Sequence, residues 1–219
     1  MAKLFFVGDS IGVGAWDECG GWVARLSGKI MQQNMQRENL YCLPYNISVS
    51  GDTFEDALNR FDNEVYCRLD DDDAGKIQFL FSLGSNDAIF RQNENRQRFT
   101  DEAFKNNIFK LIERAKQYST NISFTGLLPV NEELVSPMPW SPEESYKNSA
   151  IKNYEDIIKG ICSTQELNFL PMYQTWLNMP QYKELFSDGV HPNSKGHALM
   201  AEQIGAFLLT DAFYRFHGA

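Results

Sequence analysis

Short apolar runs alternate along the chain with longer segments whose apolar residues recur at helical spacing, the pattern of repeated βα units. The runs that read as strands cover residues 3 to 8, 43 to 49, 77 to 83, 121 to 127 and 167 to 172. Between them, Phe104, Ile108, Leu111, Ile112 and Ala115 follow a Thr100 cap with Asp101 and Glu102 behind it, which predicts a core-facing helix. Ile151, Tyr154, Ile158 and Ile161 repeat the spacing, and a last helix is expected to begin near Asn193 or Ser194 and to run past Leu199, Ile204 and Phe207. The expected fold is therefore α/β, a mostly parallel sheet with helices on both faces, in a single domain over residues 1 to 219. No internal repeat, low-complexity tract or linker divides the chain.

Two stretches fit regular structure poorly. Residues 128 to 146 carry Pro129, Pro137, Pro139 and Pro142, and residues 174 to 187 carry Trp176, Met179, Tyr182 and Phe186. Loops at the carboxyl edge of an open sheet usually form the ligand cleft, so Met138, Trp140, Trp176 and Met179 are candidates for a pocket wall, with plain packing under a long loop as the alternative.

Charge narrows the partners. A net charge of −9 and a pI near 4.9, with scattered Lys and Arg, leave no basic footprint for nucleic acid and disfavour a strongly anionic membrane surface. The opening run Leu4-Phe5-Phe6-Val7 is too short for a signal-peptide core or a bilayer span, so a cytoplasmic location without stable membrane association is expected. Cys19, Cys42, Cys67 and Cys162 are widely spaced and lack metal-ligand or disulfide spacing, so they read as free thiols, and no metal or other cofactor is expected.

Four short polar blocks each fall just beyond a strand-like run: Gly8-Asp9-Ser10-Ile11, Ser50-Gly51-Asp52-Thr53, Gly84-Ser85-Asn86-Asp87 and Asp188-Gly189-Val190-His191. One parallel sheet would gather them along a single edge. Ser10 leaves the first strand toward a helix, where backbone N–H groups favour developing negative charge. A serine hydroxyl needs a base, and His191 is the only histidine preceded at three residues by a carboxylate, Asp188, which would fix its tautomer. The N–H groups of Ser10 and Gly51 and the amide of Asn86 could stabilise the tetrahedral oxyanion formed when an ester or thioester is attacked.

These blocks resemble the four consensus motifs of the GDSL or SGNH hydrolase superfamily, with Ile11 in place of the eponymous leucine and further matches at Gly14 and Pro192. The resemblance spans nearly the whole chain. It implies a three-layer α/β/α, flavodoxin-like fold with about five parallel strands, no metal, and hydrolysis through an acyl-serine. By role it implies Ser10 as nucleophile and oxyanion donor, Gly51 and Asn86 as donors, His191 as base and Asp188 as its orienter. The substrate is left open. Small or short-chain acyl esters, with a sugar or metabolite acetate as one form, are the leading expectation. A lysophospholipase or acyl-thioesterase and an idle ligand-binding module on the same fold are the alternatives.

Other features read as structural. Asp9 is expected to bond neighbouring loops, Asp87 its own turn, and His197 to pack on the last helix, while His217 shows no partner. Arg91, Arg96 and Arg98 read first as a charged helix face, with an anionic substrate group as the alternative. The run Asp70 to Asp73 with Gly75 lacks oxygen ligands at the fifth and twelfth positions of a calcium loop, and Gly8, Gly12 and Gly14 do not make a nucleotide-binding fingerprint. Oligomeric state is not readable from the sequence.

Overall fold

The computed structural model describes residues 2–38, 40–70, 76–210, 212–213 and 216. In chain order the elements are β1 (Ala2–Gly8), α1 (Ser10–Val13), α2 (Gly21–Gln36), β2 (Cys42–Asn46), α3 (Phe54–Tyr66), β3 (Ile77–Ser82), β4 (Phe90–Arg91), β5 (Arg96–Gln97), α4 (Asp101–Lys116), β6 (Ile122–Thr125), α5 (Glu132–Val135), β7 (Glu144–Ser145), α6 (Asn148–Thr164), β8 (Asn168–Leu170), α7 (Tyr173–Leu177) and α8 (Ser194–Leu208).

Five strands form one parallel sheet in the order β2-β1-β3-β6-β8. The central strands are buried along nearly their whole length and mostly apolar, because both faces are covered, with Lys3, Gln78, Ser123 and Thr125 as buried polar exceptions. In β1, Phe5 and Val7 face the core shared with α3, α4 and α6, while Leu4 and Phe6 face the one shared with α2 and α8. In β3, Phe79 and Phe81 take the first side and Leu80 the second. The chain passes from β1 outward to β2 and then back across to β3, so the loops leaving β1 and β3 diverge at their carboxyl ends. That divergence opens a crevice at the switch point of the sheet. The expected three-layer, five-stranded architecture is the one observed.

β1 begins one residue earlier than expected, and the other four strands are shorter than their expected runs. β2 ends at Asn46 rather than at 49, because the Asn46 carboxamide accepts from Ser48 N–H and donates to Gly12 C=O, turning the chain. Its backbone still follows β1, with Ile47 and Val49 N–H groups donating to Phe6 and Gly8 carbonyls. The stretch 128 to 146 holds α5 and β7, and β7 joins β4 and β5 in a small antiparallel sheet of order β5-β4-β7. Arg91 and Arg96 lie on that hairpin, not on a helix, and pair with Glu94. Arg98 follows it and pairs with Glu144. The run Asp70 to Asp73 with Gly75, apart from Asp70, and His217 lie outside the described residues.

All four cysteines are free thiols, and burial pushes Cys42 and Cys162 up to about 12. Among the described residues no helix is long and apolar enough to cross a membrane.

Candidate active site

The loop after β1 turns at once into α1. Asp9 caps that turn, its Oδ1 accepting from Ile11 N–H at 2.9 Å, so it serves its own turn and not the neighbouring loops. Ser10 is the first residue of α1, and its N–H has no acceptor inside so short a helix. Gly12 lets the β2 loop pack down beside it, since a Cβ there would stand 2.3 Å from Ser48 Oγ.

The loop between the small 3₁₀ turn Tyr182–Leu185 and α8 brings Asp188 and His191 over Ser10. Ser10 Oγ lies 2.8 Å from His191 Nε2, and His191 Nδ1 lies 2.7 Å from Asp188 Oδ2. The other carboxylate oxygen accepts from the N–H groups of Val190 (3.0 Å) and His191 (2.8 Å), which holds the acid and the ring on one tight turn. With a carboxylate on Nδ1, that nitrogen carries the proton and Nε2 is left to accept from the hydroxyl. Burial alone would raise the Asp188 carboxyl, but the His191 imidazole and the backbone donors outweigh it and hold the group near 2.

Gly51 and Asn86 approach from the other two blocks. Gly51 sits at φ +85°, the left-handed region that favours glycine, with open space where a Cβ would point. Its loop is fastened by Arg60, whose Nε donates to Asp52 Oδ2 at 2.6 Å and whose Nη1 donates to Ile47 C=O at 2.5 Å. Asn86 donates one Nδ2 hydrogen to Asp52 C=O at 3.0 Å, and its Oδ1 accepts from the Tyr146 hydroxyl at 2.9 Å. The carboxamide is thereby oriented, with its second Nδ2 hydrogen left to donate elsewhere. Asp87 does not stay within its own turn: both its oxygens accept from Phe54 N–H, tying the third block to the start of α3.

Beside Ser10 lie two buried carboxyl groups, Asp9 and Asp87. Burial raises the Asp9 carboxyl to about 6 against the opposing effect of Ile11 N–H, and it raises Asp87 well above the ordinary range.

His197 is fully buried. Its Nδ1 accepts from Trp22 N–H at 3.3 Å, its Nε2 donates to Ala15 C=O at 3.2 Å, and burial lowers its pKa. It is a brace for the loop after α1, more than the helix packing expected of it.

The proposed pocket wall is only partly placed near open surface. Trp176 has no exposed area, lies in the core under α8 and donates to Gln203, while Met138 is buried in the opposite core. Side chains so enclosed cannot line an open cleft, so packing replaces the pocket role for both. Met179 packs partly on the same core as Trp176, and Trp140 is exposed. A cavity of about 490 Å³ bordered by Gln78, Asn121, Ser123, Asn168 and Phe213 lies at the amino edge of the sheet, the end away from Ser10, and has no part in this site. Two neighbours of the triad carried no usable sequence signal. Tyr146 comes from a proline-rich excursion with no periodicity. Trp16, two residues beyond Gly14, donates its indole N–H to Asp188 Oδ2 at 2.9 Å.

Residues 6–199 match the model of a family described as GDSL-like lipase/acylhydrolase. No curated protein sequence matches the chain. Among solved structures, the lipase/acylhydrolase from Enterococcus faecalis is similar at 22% identity, covering 93% of each chain with a TM-score of 0.71. The acetylxylan esterase Axe2 from Geobacillus stearothermophilus is similar at 20% identity over 94% of this chain and 93% of its own, with a TM-score of 0.67. The psychrotrophic esterase EstA from Pseudoalteromonas sp. is similar at 18% identity over 95% and 97%, with a TM-score of 0.68. At these identities the structural likenesses speak for the fold.

Proposed function

Because the chain belongs to the GDSL-like lipase/acylhydrolase family, we propose that it hydrolyses small or short-chain acyl esters through an acyl-serine on Ser10. The observation that carries this reading is the unbroken hydrogen-bond chain from Ser10 Oγ through His191 to Asp188, at 2.8 and 2.7 Å.

In this reaction Ser10 Oγ attacks the ester carbonyl while His191 Nε2 takes its proton. The oxyanion receives hydrogen bonds from Ser10 N–H, Gly51 N–H and the second Nδ2 hydrogen of Asn86. The intermediate collapses as His191 gives its proton to the departing alkoxide, and a water, deprotonated by the same nitrogen, releases the acid and frees Ser10. Asp188 stays ionised throughout and stabilises the imidazolium that forms in each half. That one fold neighbour, Axe2, is an acetylxylan esterase supports the short-acyl reading.

The test is hydrolysis of p-nitrophenyl esters from acetate to palmitate, with Ser10→Ala in parallel. Turnover of acetate and butyrate that disappears in the variant is the expected result. A maximum at long chains would replace this reading with a lysophospholipase or acyl-thioesterase. No turnover, together with no labelling by a fluorophosphonate probe, would point to a binding module.

A further inference from the structure

The loop between α1 and α2 holds its exposed tryptophan in an unusual conformation. Trp16 has φ +64°, a left-handed backbone that a bulky residue keeps only where its surroundings impose it. They do so from two sides. His197 on α8 donates to Ala15 C=O, and Asp17 accepts from the N–H groups of Cys19 (3.2 Å) and Gly21 (2.9 Å) and pairs with Arg25 of α2. Arg25 in turn donates to Ser194 Oγ at 3.0 Å, so the loop is fastened to both α2 and α8.

The indole held this way is 66% exposed, yet its N–H points inward to the triad. Nε1 lies 2.9 Å from Asp188 Oδ2 and 3.2 Å from His191 Nδ1, with the two rings edge-on at 84°. Since Nδ1 carries the proton given to Asp188, the acceptor of the indole hydrogen is the carboxylate. Asp188 then has four donors: Val190 and His191 N–H on Oδ1, imidazole and indole on Oδ2.

Building on the hydrolase reading above, we propose that Trp16 is a positioning residue of the reaction, holding the Asp188 carboxylate against His191 and taking up a share of its charge. The share matters because Asp188 stabilises the imidazolium. With the indole donor gone, the charge it drew is returned to the ring, so His191 keeps its proton to higher pH, while a carboxylate held by three donors is less well placed for turnover. The other titratable groups facing the pair are Asp9 at the end of β1 and His197 on α8, both toward His191, and Tyr146 after β7, toward Asp188. All three are common to the wild type and the variants below, so a difference between the proteins reports Trp16.

The experiment is a proton NMR titration of His191 in the full chain, its ring resonance identified by loss in His191→Gln. Wild type is compared with Trp16→Phe, which keeps the ring and loses the donor, and with Trp16→Gly, which suits the left-handed backbone and so guards against misfolding. The His191 midpoint is expected to lie at higher pH in both variants than in the wild type. With p-nitrophenyl acetate kcat should fall by about 10-fold with KM little changed. A midpoint that stays or falls in both variants would overturn the role of Trp16. The titration needs no substrate, so it decides this point whether or not an ester is turned over. Absence of turnover by the wild type would count against the hydrolase reading alone.

Discussion

Asn86 is held at both ends of its carboxamide, by Asp52 C=O and by the Tyr146 hydroxyl, and this fixes which end can donate into the crevice. A donor aimed at a charge that exists only in the transition state affects turnover more than binding. Asn86→Ala is therefore expected to lower kcat by roughly 100-fold or more with little change in KM, measured by steady-state kinetics on p-nitrophenyl acetate. Tyr146→Phe, which removes only the hydrogen bond behind the donor, should cost about 10-fold in the same assay. Asp9 offers a test of a different kind, since its folded-state pKa of about 6 lies above the unfolded value of 3.8. Between those values the folded protein binds the extra proton, so the stability contributed is full below 3.8 and is lost as pH rises through about 6. Asp9→Asn keeps an acceptor for Ile11 N–H without the charge. It should raise the melting temperature at pH 7.5 by roughly 5 °C and change it little at pH 4, as scanning calorimetry would register.

At the scale of elements, the site is assembled by helix starts and strand ends. Thr53 caps α3 in a reciprocal box with Asp56, directly after the Gly51 loop, and Asp87 adds a second anchor at the same helix start. Thr53→Ala should cost about 1 kcal/mol, or about 2–4 °C in melting temperature, while Thr53→Ser retains most of it, as urea unfolding would measure. The same placement explains what could be read in advance. The runs that became β1 and β3 were visible because strands covered on both faces are mostly apolar, and the first three polar blocks begin within a few residues of a strand's end, whereas the fourth, well beyond β8, was marked by the spacing of Asp188 and His191. The blocks therefore marked Ser10, Gly51, Asn86, Asp188 and His191, although the triad distances came only with the fold. What stayed hidden lacked a period. β4, β5 and β7 are two residues long, too short for alternation to register, so Arg91 and Arg96 read as a helix face and Tyr146 gave no signal. Trp176 and Met138 looked like pocket residues because an aromatic or methionine in an irregular stretch is patterned alike whether it packs inward or faces a cleft. Trp16 was hidden for a related reason: its role depends on a backbone angle and on contact with a loop 172 residues away.

On the scale of the whole molecule, stability and competence both depend on the two ends of the chain meeting. Asp17 and Asp188 hold parts of that meeting place, and both carboxyls stand near 2, burial being outweighed by Arg25 and backbone donors at Asp17 and by His191 and backbone donors at Asp188. Folded values below the unfolded one give stability that is complete above about 3.8 and is lost as pH falls toward 2. Stability should thus decline steeply below pH 4. Asp17→Asn should lower it at pH 7 and flatten that decline, which urea titrations at pH 7, 4 and 3 would compare. The hydrogen bond from Ser10 to His191 spans 181 residues of sequence. Contacts of such separation are slow to form, because most of the intervening chain must already be in place before the ends can meet. Ester turnover is then a completion signal, since the nucleophile stays inert until the far end of the chain has docked. During refolding, hydrolysis should recover no earlier than the burial of Trp22 and Trp176, which share their core with α8, and tryptophan fluorescence followed beside ester turnover would check that order.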